Sequence, residues 1–426
     1  MRRIWGILLV LILSWAFALQ TGRPLAYSLA YLVTAVVVLS YLWALSNITW
    51  VQVGRYTRGR RSQVGKLTEE QFEVSNRSFL PKLWLEVRDH STLPGHDVSR
   101  VMNTLGGKKR QRWMTRTLCQ QRGRFRLGPM TLTSGDPLGL FRLQRELPAT
   151  ANIIVYPATV DLAAFAPSAG YLPGGESMRR RTHYITTNVA GVRNYAPGDS
   201  FSRIHWRTTA RTGELMVKEF ELDPTADVWL FLDMDSTMHL AAPWQPESER
   251  RGPAMLWRER ERLELIPSTE EYAVTAAASL ANHLLTHEQA VGLIAHGRER
   301  ELIHADRGER QLNKILETLA VIEARGHIPI SQVIAAEGRH LSRNTVVIVI
   351  TPSTALNWVA SLRDLRRRGV QGAAVLVAAS TFGAADPWQA VQAELIASSI
   401  VTYVVQRDDD LGAALTRRAG TARAFR

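Results

Sequence analysis

Asp233-Met234-Asp235-Ser236-Thr237 packs more chemistry into five positions than any other stretch of this chain. Its two carboxylates and two hydroxyls are hard oxygen donors of the kind that hold a divalent cation such as magnesium. Asp233, Asp235 and Thr237 are the candidate ligands. A metal-free role competes: the carboxylates then cap a strand end, form an interaction surface, or pair with Arg250, Arg251, Arg258 or Arg260 of the Trp- and Arg-rich stretch 239–267. The metal-free role is favoured. A second cluster holds Arg193, Pro197, Gly198, Asp199, Arg203, His205, Trp206 and Arg211. Nucleophilic catalysis requires an activated Ser or Cys, a His base and an orienting carboxylate. Asp199, Ser202 and His205 supply the types, but no Gly-x-Ser-x-Gly elbow surrounds Ser202 and the single cysteine, Cys119, is remote. No Walker loop occurs either. No catalytic residue is therefore assigned. Pro197-Gly198-Asp199 reads as a turn, with His205 and Trp206 anchoring a linker and the arginines available for partner recognition.

Positioning these residues falls to two kinds of element. From 223 onward, short Val/Ile/Leu-rich runs at 227–232, 290–295, 345–350, 373–377 and 400–405 have the character of strands buried on both faces of a parallel sheet. Amphipathic helices separate them. One opens with a capping box of Ser268 and Glu271; one carries Leu312, Ile315, Leu316 and Leu319 and stops at Arg325-Gly326; one carries Trp358, Val359, Leu362 and Leu365 and closes at 366–369. This alternation predicts a doubly wound α/β domain with Asp233 just past its first strand, where such sheets bind ligands. Residues 47–160 instead alternate with period two, as in 71–76 and 82–88, and predict antiparallel strands in a small sandwich.

At 426 residues the chain has room for two to three domains, and one cysteine excludes a disulfide-stapled fold and a zinc ribbon. Against 39 acidic residues stand 52 basic ones, only six of them Lys, for a net charge of +13. The basic run 101–130 lacks acidic residues, yet its only aromatics are Trp113 and Phe125 and it has no RNA-binding fingerprint, so nucleic acid is not an expected partner. Two apolar stretches, 4–19 and 25–46, predict a two-helix membrane hairpin, although the first also resembles a signal peptide. Arg2 and Arg3 precede the pair, Arg55, Arg58, Arg60 and Arg61 follow it, and only Arg23 lies in the turn, so both ends are expected in the cytoplasm.

Two resemblances extend these readings. The Asp233 segment resembles the metal motif of the von Willebrand factor A fold, Asp-x-Ser-x-Ser, with Asp235 in place of the first Ser and Thr237 in place of the second. In the later strand, Thr351-Pro352-Ser353 replaces that fold's Thr-Asp-Gly, and Pro352 removes a carboxylate. The segment 192–221, together with 122–125, Gly128-Pro129, 136–141 and Val155-Tyr156-Pro157, is similar to the bacterial domain of unknown function 58 family. That resemblance implies membrane anchoring and a MoxR-type AAA+ ATPase as partner. The combined expectation is a membrane-anchored α+β multidomain protein: hairpin 1–46, sandwich-like domain 47–160, signature linker 161–222 and von Willebrand factor A-like domain 223–426. It is expected in the inner membrane, multi-pass, as a non-enzymatic adaptor without a cofactor. The alternative is a metal-dependent hydrolase centred on Asp233 and Asp235.

Overall fold

The computed structural model describes residues 2–148, 150–163, 165, 189–196, 201, 204–220, 227–244, 264–343 and 345–419. Two apolar helices open it, α1 (Arg2–Thr21) and α2 (Pro24–Thr49), with Pro24 in the first turn of α2, where its missing N–H costs nothing. The second helix is long and apolar enough to cross a membrane, whereas the apolar part of the first is shorter. The Trp15 indole donates to Thr34 Oγ1 at 3.0 Å and its ring stands edge-on to Tyr31, so α1 folds back along α2. α2 runs three residues past the expected hairpin boundary, and its last turns bury Ala44, Asn47 and Ile48.

Ten strands follow. A three-stranded sheet in the order β1 (Val51–Thr57), β3 (Leu67–Asn76), β6 (Arg110–Leu118) faces a four-stranded sheet in the order β5 (Arg100–Leu105), β4 (Lys82–Asp89), β8 (Met130–Gly135), β9 (Arg142–Leu147). Phe72, Val74 and Trp113 from one sheet and Leu85, Val87, Met102, Met130 and Leu132 from the other form one apolar cluster, as period-two alternation requires. β2 (Arg61–Gln63), β10 (Ala151–Tyr156) and β7 (Gly123–Leu127) make a small third sheet.

Arg55, the first of the arginines that follow the apolar pair, is drawn into the β-domain. Its side chain is buried, donating to Glu70 at 2.9 Å and to Asp89 at 3.2 Å, with His96 alongside at 3.2 Å from Glu70. Two more of the flanking arginines are engaged: Arg58 pairs with Glu69 and Arg61 with Glu317. Part of the acid-free run 101–130 is paired across strands, since Arg110 and Arg112 reach Glu73 and Arg116 reaches Glu69.

The segment read as a linker contains structure of its own: β11 (Val189–Asn194) pairs antiparallel with β12 (Met216–Phe220), with α3 (Trp206–Thr212) between them. Beyond it lies a six-stranded sheet in the order β15 (Arg300–Asp306), β14 (Val291–His296), β13 (Asp227–Leu232), β16 (Thr345–Thr351), β17 (Gln371–Val377), β18 (Val401–Val405). Five strands are parallel; β15 is antiparallel to β14, which the sequence reading missed. Val228, Leu230 and Leu232 enter one core with α4 (Thr269–Thr286), α5 (Glu309–Val321) and α9 (Leu411–Thr416). Phe231 enters the opposite core with α6 (Ile330–Glu337), α7 (Asn357–Arg367) and α8 (Gln389–Ala397). Burial on both faces is why these strands are continuously apolar.

Two expected helix details change. Ser268 accepts from the Glu270 backbone, but Glu271 does not complete the capping box because it pairs with Arg122. α5 ends at Val321, before Arg325-Gly326.

Candidate functional site

Asp233 is the first residue past β13, and its N–H still continues the ladder by donating to the Ile350 carbonyl at 3.0 Å. Its side chain is thereby aimed along the carboxyl end of the sheet toward Thr351, the last residue of neighbouring β16. Thr351 Oγ1 donates to Asp233 Oδ2 at 2.6 Å, while the Asp235 N–H donates to Asp233 Oδ1 at 3.1 Å. Asp235 Oδ1 accepts from both the backbone and the hydroxyl of Thr237, at 3.0 and 2.9 Å. Both aspartates are buried. Burial pushes the Asp233 carboxyl above the ordinary carboxylate range; the bonds from Thr351 and the Asp235 backbone oppose that rise without cancelling it.

His239 closes the site from the side. Its Nε2 lies 2.9 Å from the Asp233 carbonyl and its Nδ1 3.1 Å from Thr269 Oγ1. A carbonyl only accepts, so Nε2 carries the proton and Nδ1 accepts from the hydroxyl. On the other flank Asp235 bridges to Gly326, whose N–H donates to the Met234 carbonyl at 2.9 Å. A Cβ at Gly326 would fall 2.1 Å from the His296 carbonyl oxygen, so this approach is open to glycine alone.

Hydrogen bonds within the cluster already draw on these oxygen donors. Each Asp233 carboxylate oxygen already accepts a hydrogen bond, Thr351 turns its proton to Asp233 while accepting from the Ser353 N–H at 2.9 Å, and Thr237 is spent on Asp235. Among the described residues no group of three or more His, Cys, Asp or Glu side chains is disposed to hold a metal ion. The arrangement ties the sheet end together.

Only part of the second cluster lies among the described residues. Pro197, Gly198, Asp199, Ser202 and Arg203 fall outside them, as does 245–263, which includes the four arginines considered as partners for Asp235. His205 is the N-cap of α3: its Nδ1 accepts from the Thr208 N–H at 3.2 Å and lies 2.7 Å from the Thr208 hydroxyl. That nitrogen is occupied by capping. Trp206 starts the helix with its ring largely exposed, Arg211 occupies the last turn, and Arg193 lies exposed on β11, donating to the Asn194 carbonyl. The structure does not bring these residues to Asp233. Sequence reasoning missed His239 and Thr269 and named Thr351 only within the Thr351-Pro352-Ser353 segment; the strand-end rule that singled out Asp233 points equally to Thr351, the residue closing β16.

An apolar helix leading into a mixed α+β body with several sheets sets the class: a multi-sheet α+β protein with an N-terminal helix fit for a membrane. Within that class, residues 191–379 match the family described as Protein of unknown function DUF58. The chain is 22% identical over 360 residues to the uncharacterized protein YeaD of Bacillus subtilis strain 168, covering 82% of each chain. With the uncharacterized protein Rv1480 of Mycobacterium tuberculosis it shares 24% identity over 244 residues, 55% of this chain and 69% of that one. Solved structures resemble it only slightly. Proximal thread matrix protein 1 from the mussel byssus has a TM-score of 0.30 and 11% identity, over 46% of this chain and 47% of that one. A CARDB domain from Pyrococcus furiosus has a TM-score of 0.20 and 18% identity, over 25% and 86%.

Proposed function

We propose that this protein is a non-enzymatic, membrane-anchored adaptor that engages a MoxR-type AAA+ ATPase through a von Willebrand factor A-like domain, residues 223–426. The observation that carries the reading is the self-bonded sheet end. Asp233, Asp235, Thr237 and Thr351 hydrogen-bond to one another, and among the described residues no group of three or more His, Cys, Asp or Glu side chains is disposed to hold a metal ion. Capping by His205 Nδ1 supports the same reading, since that nitrogen is engaged by Thr208.

In this reading α2 crosses the bacterial inner membrane and α1, packed against it, completes a multi-pass hairpin. Arg55, Arg58, Arg60 and Arg61 set the orientation even though Arg55 ends up buried, because topology is decided on the chain as it inserts, before the β-domain folds. The soluble domains then lie in the cytoplasm. Affinity purification of the tagged full chain from detergent-solubilised native membranes, read by mass spectrometry, tests the adaptor role. Recovery of a AAA+ ATPase is expected; nothing above background across conditions would overturn it.

A further inference from the structure

The end of α2 and three loops of the β-domain meet at one pole. The register pairs Val51 with Asn76, Lys82 with Leu105, Ser75 with Arg110 and Gly135 with Arg142. Loops 77–81, 106–109 and 136–141 therefore all emerge beside Trp50, where the helix hands over to β1. The joint is rigid. Asn47 donates to the Leu83 and Gly135 carbonyls at 3.2 and 3.0 Å, buried Lys82 donates to the Ser46 carbonyl, and the Tyr41 and Phe141 rings meet edge-on at 5.5 Å.

These loops point apolar side chains outward: Phe79 is 81% exposed, Leu80 53% and Leu138 63%. They are firmly held. Buried Asn76 donates to the Leu80 carbonyl at 2.8 Å and to the Gly106 carbonyl at 3.1 Å, and a Cβ at Gly107 would fall 2.1 Å from the Phe79 carbonyl oxygen. The Asp136 carboxylate accepts from the Leu138 and Phe141 N–H groups, shaping the third loop. Cations accompany the rings, with Lys108 Nζ 3.9 Å from the Phe79 centroid and the Arg142 guanidinium 5.0 Å from that of Trp84. Exposed rings and leucines beside cations suit the boundary between acyl chains and headgroups.

The helix length says what covers this pole. Up to the residue before Tyr41, α2 stands clear of loop 136–141 for about 17 residues, or about 25 Å at 1.5 Å per residue. A bilayer's hydrocarbon core is about 30 Å thick. The shortfall brings the acyl boundary down onto the loops.

We propose that this pole is a bilayer-contacting collar: Phe79, Leu80 and Leu138 enter the interfacial layer of the lipid around α2, with Lys108 and Arg142 at the level of the headgroup phosphates. The inference rests on reading α2 as membrane-spanning. The test uses the full chain with Cys119→Ala in nanodiscs of phosphatidylcholine and phosphatidylglycerol. A single environment-sensitive fluorophore is carried at Phe79→Cys, Leu138→Cys, Val38→Cys in α2, or Ser99→Cys at the opposite pole of the β-domain. The probes at 79 and 138 should emit to the blue of that at 99, and lipids bearing a nitroxide near the headgroup should quench them and leave that at 99 unchanged; a nitroxide deep in the chains should quench the probe at 38. Emission at 79 and 138 matching that at 99, with 38 quenched, overturns the collar and leaves the anchor standing. No quenching at 38 overturns the membrane-spanning reading and the collar with it.

Discussion

Glu70 and Asp89 in the β-domain are buried against Arg55 and His96, whereas Asp233 and Asp235 in the α/β domain are held by hydroxyls and backbone N–H groups, with the nearby His239 spending its ring on a carbonyl and a threonine. Burial alone would raise the Glu70 carboxyl, but the His96 hydrogen bond and the charges of Arg55 and His96 outweigh it and hold Glu70 below its ordinary value. At Asp233 burial wins and the carboxyl is raised. One cluster is built to keep its charge and the other tolerates a proton. The two regions accommodate their buried carboxylates differently: an ion network in the first, hydroxyl and backbone hydrogen bonds in the second.

Removing the cation from the first cluster is the largest perturbation. Arg55→Met leaves Glu70 and Asp89 buried beside His96 alone and should cost about 3 to 5 kcal/mol, the usual penalty for breaking a buried pair. Urea unfolding of the full chain in detergent measures it, and a loss comparable to that of an exposed pair such as Arg58–Glu69 would break the contrast.

Arg122 joins the two domains and comes next. It is nearly buried, pairs with Glu270 at 2.6 Å and with Glu271, and donates to the Ile322 carbonyl at 2.8 Å. Both glutamates retain some access to water, so Arg122→Met should cost less, about 1 to 3 kcal/mol. Limited proteolysis should become faster; an unchanged rate and melting temperature would show that the two domains are joined by other contacts.

Acidification sharpens the comparison by sign. Glu70, lowered in the fold, contributes stability above its unfolded value that is lost as pH falls through its folded value. Asp233, raised in the fold, contributes stability that is complete below its unfolded value of about 3.9 and is lost as pH rises through its folded value. The advantage of the parent chain over Glu70→Gln should therefore shrink in acid. Asp233→Asn should lie within about 1 kcal/mol of the parent at neutral pH, since the Thr351 hydroxyl can reverse to accept from the new amide, and should fall behind in acid. Melting temperatures of both variants across pH check this, and parallel curves would refute it.

The α/β sheet was legible because both-face burial makes strands such as 227–232 unbroken apolar runs. β15 was not, because as an edge strand it carries Arg300, Glu301, His304 and Asp306. The burial of Arg55 was hidden for a related reason: adjacency to an apolar helix reveals chain order, while its partners Glu70 and Asp89 arrive through strand register. The same holds for Arg112 and Glu73, 39 positions apart. At the site, Asp233 was visible from its place after a strand, yet the closure by Thr351 spans 118 positions and depends on the β13–β16 register.

The most direct measurement is thermal unfolding of the purified full chain in detergent with magnesium, with manganese, and with EDTA. A sheet end held by its own hydrogen bonds, with no cation, predicts one melting temperature in all three. A cation that bound only the folded chain would stabilise it by about 2.7 kcal/mol at a hundredfold excess over its Kd. A rise with either metal that EDTA reverses and Asp233→Ala abolishes would contradict the metal-free adaptor.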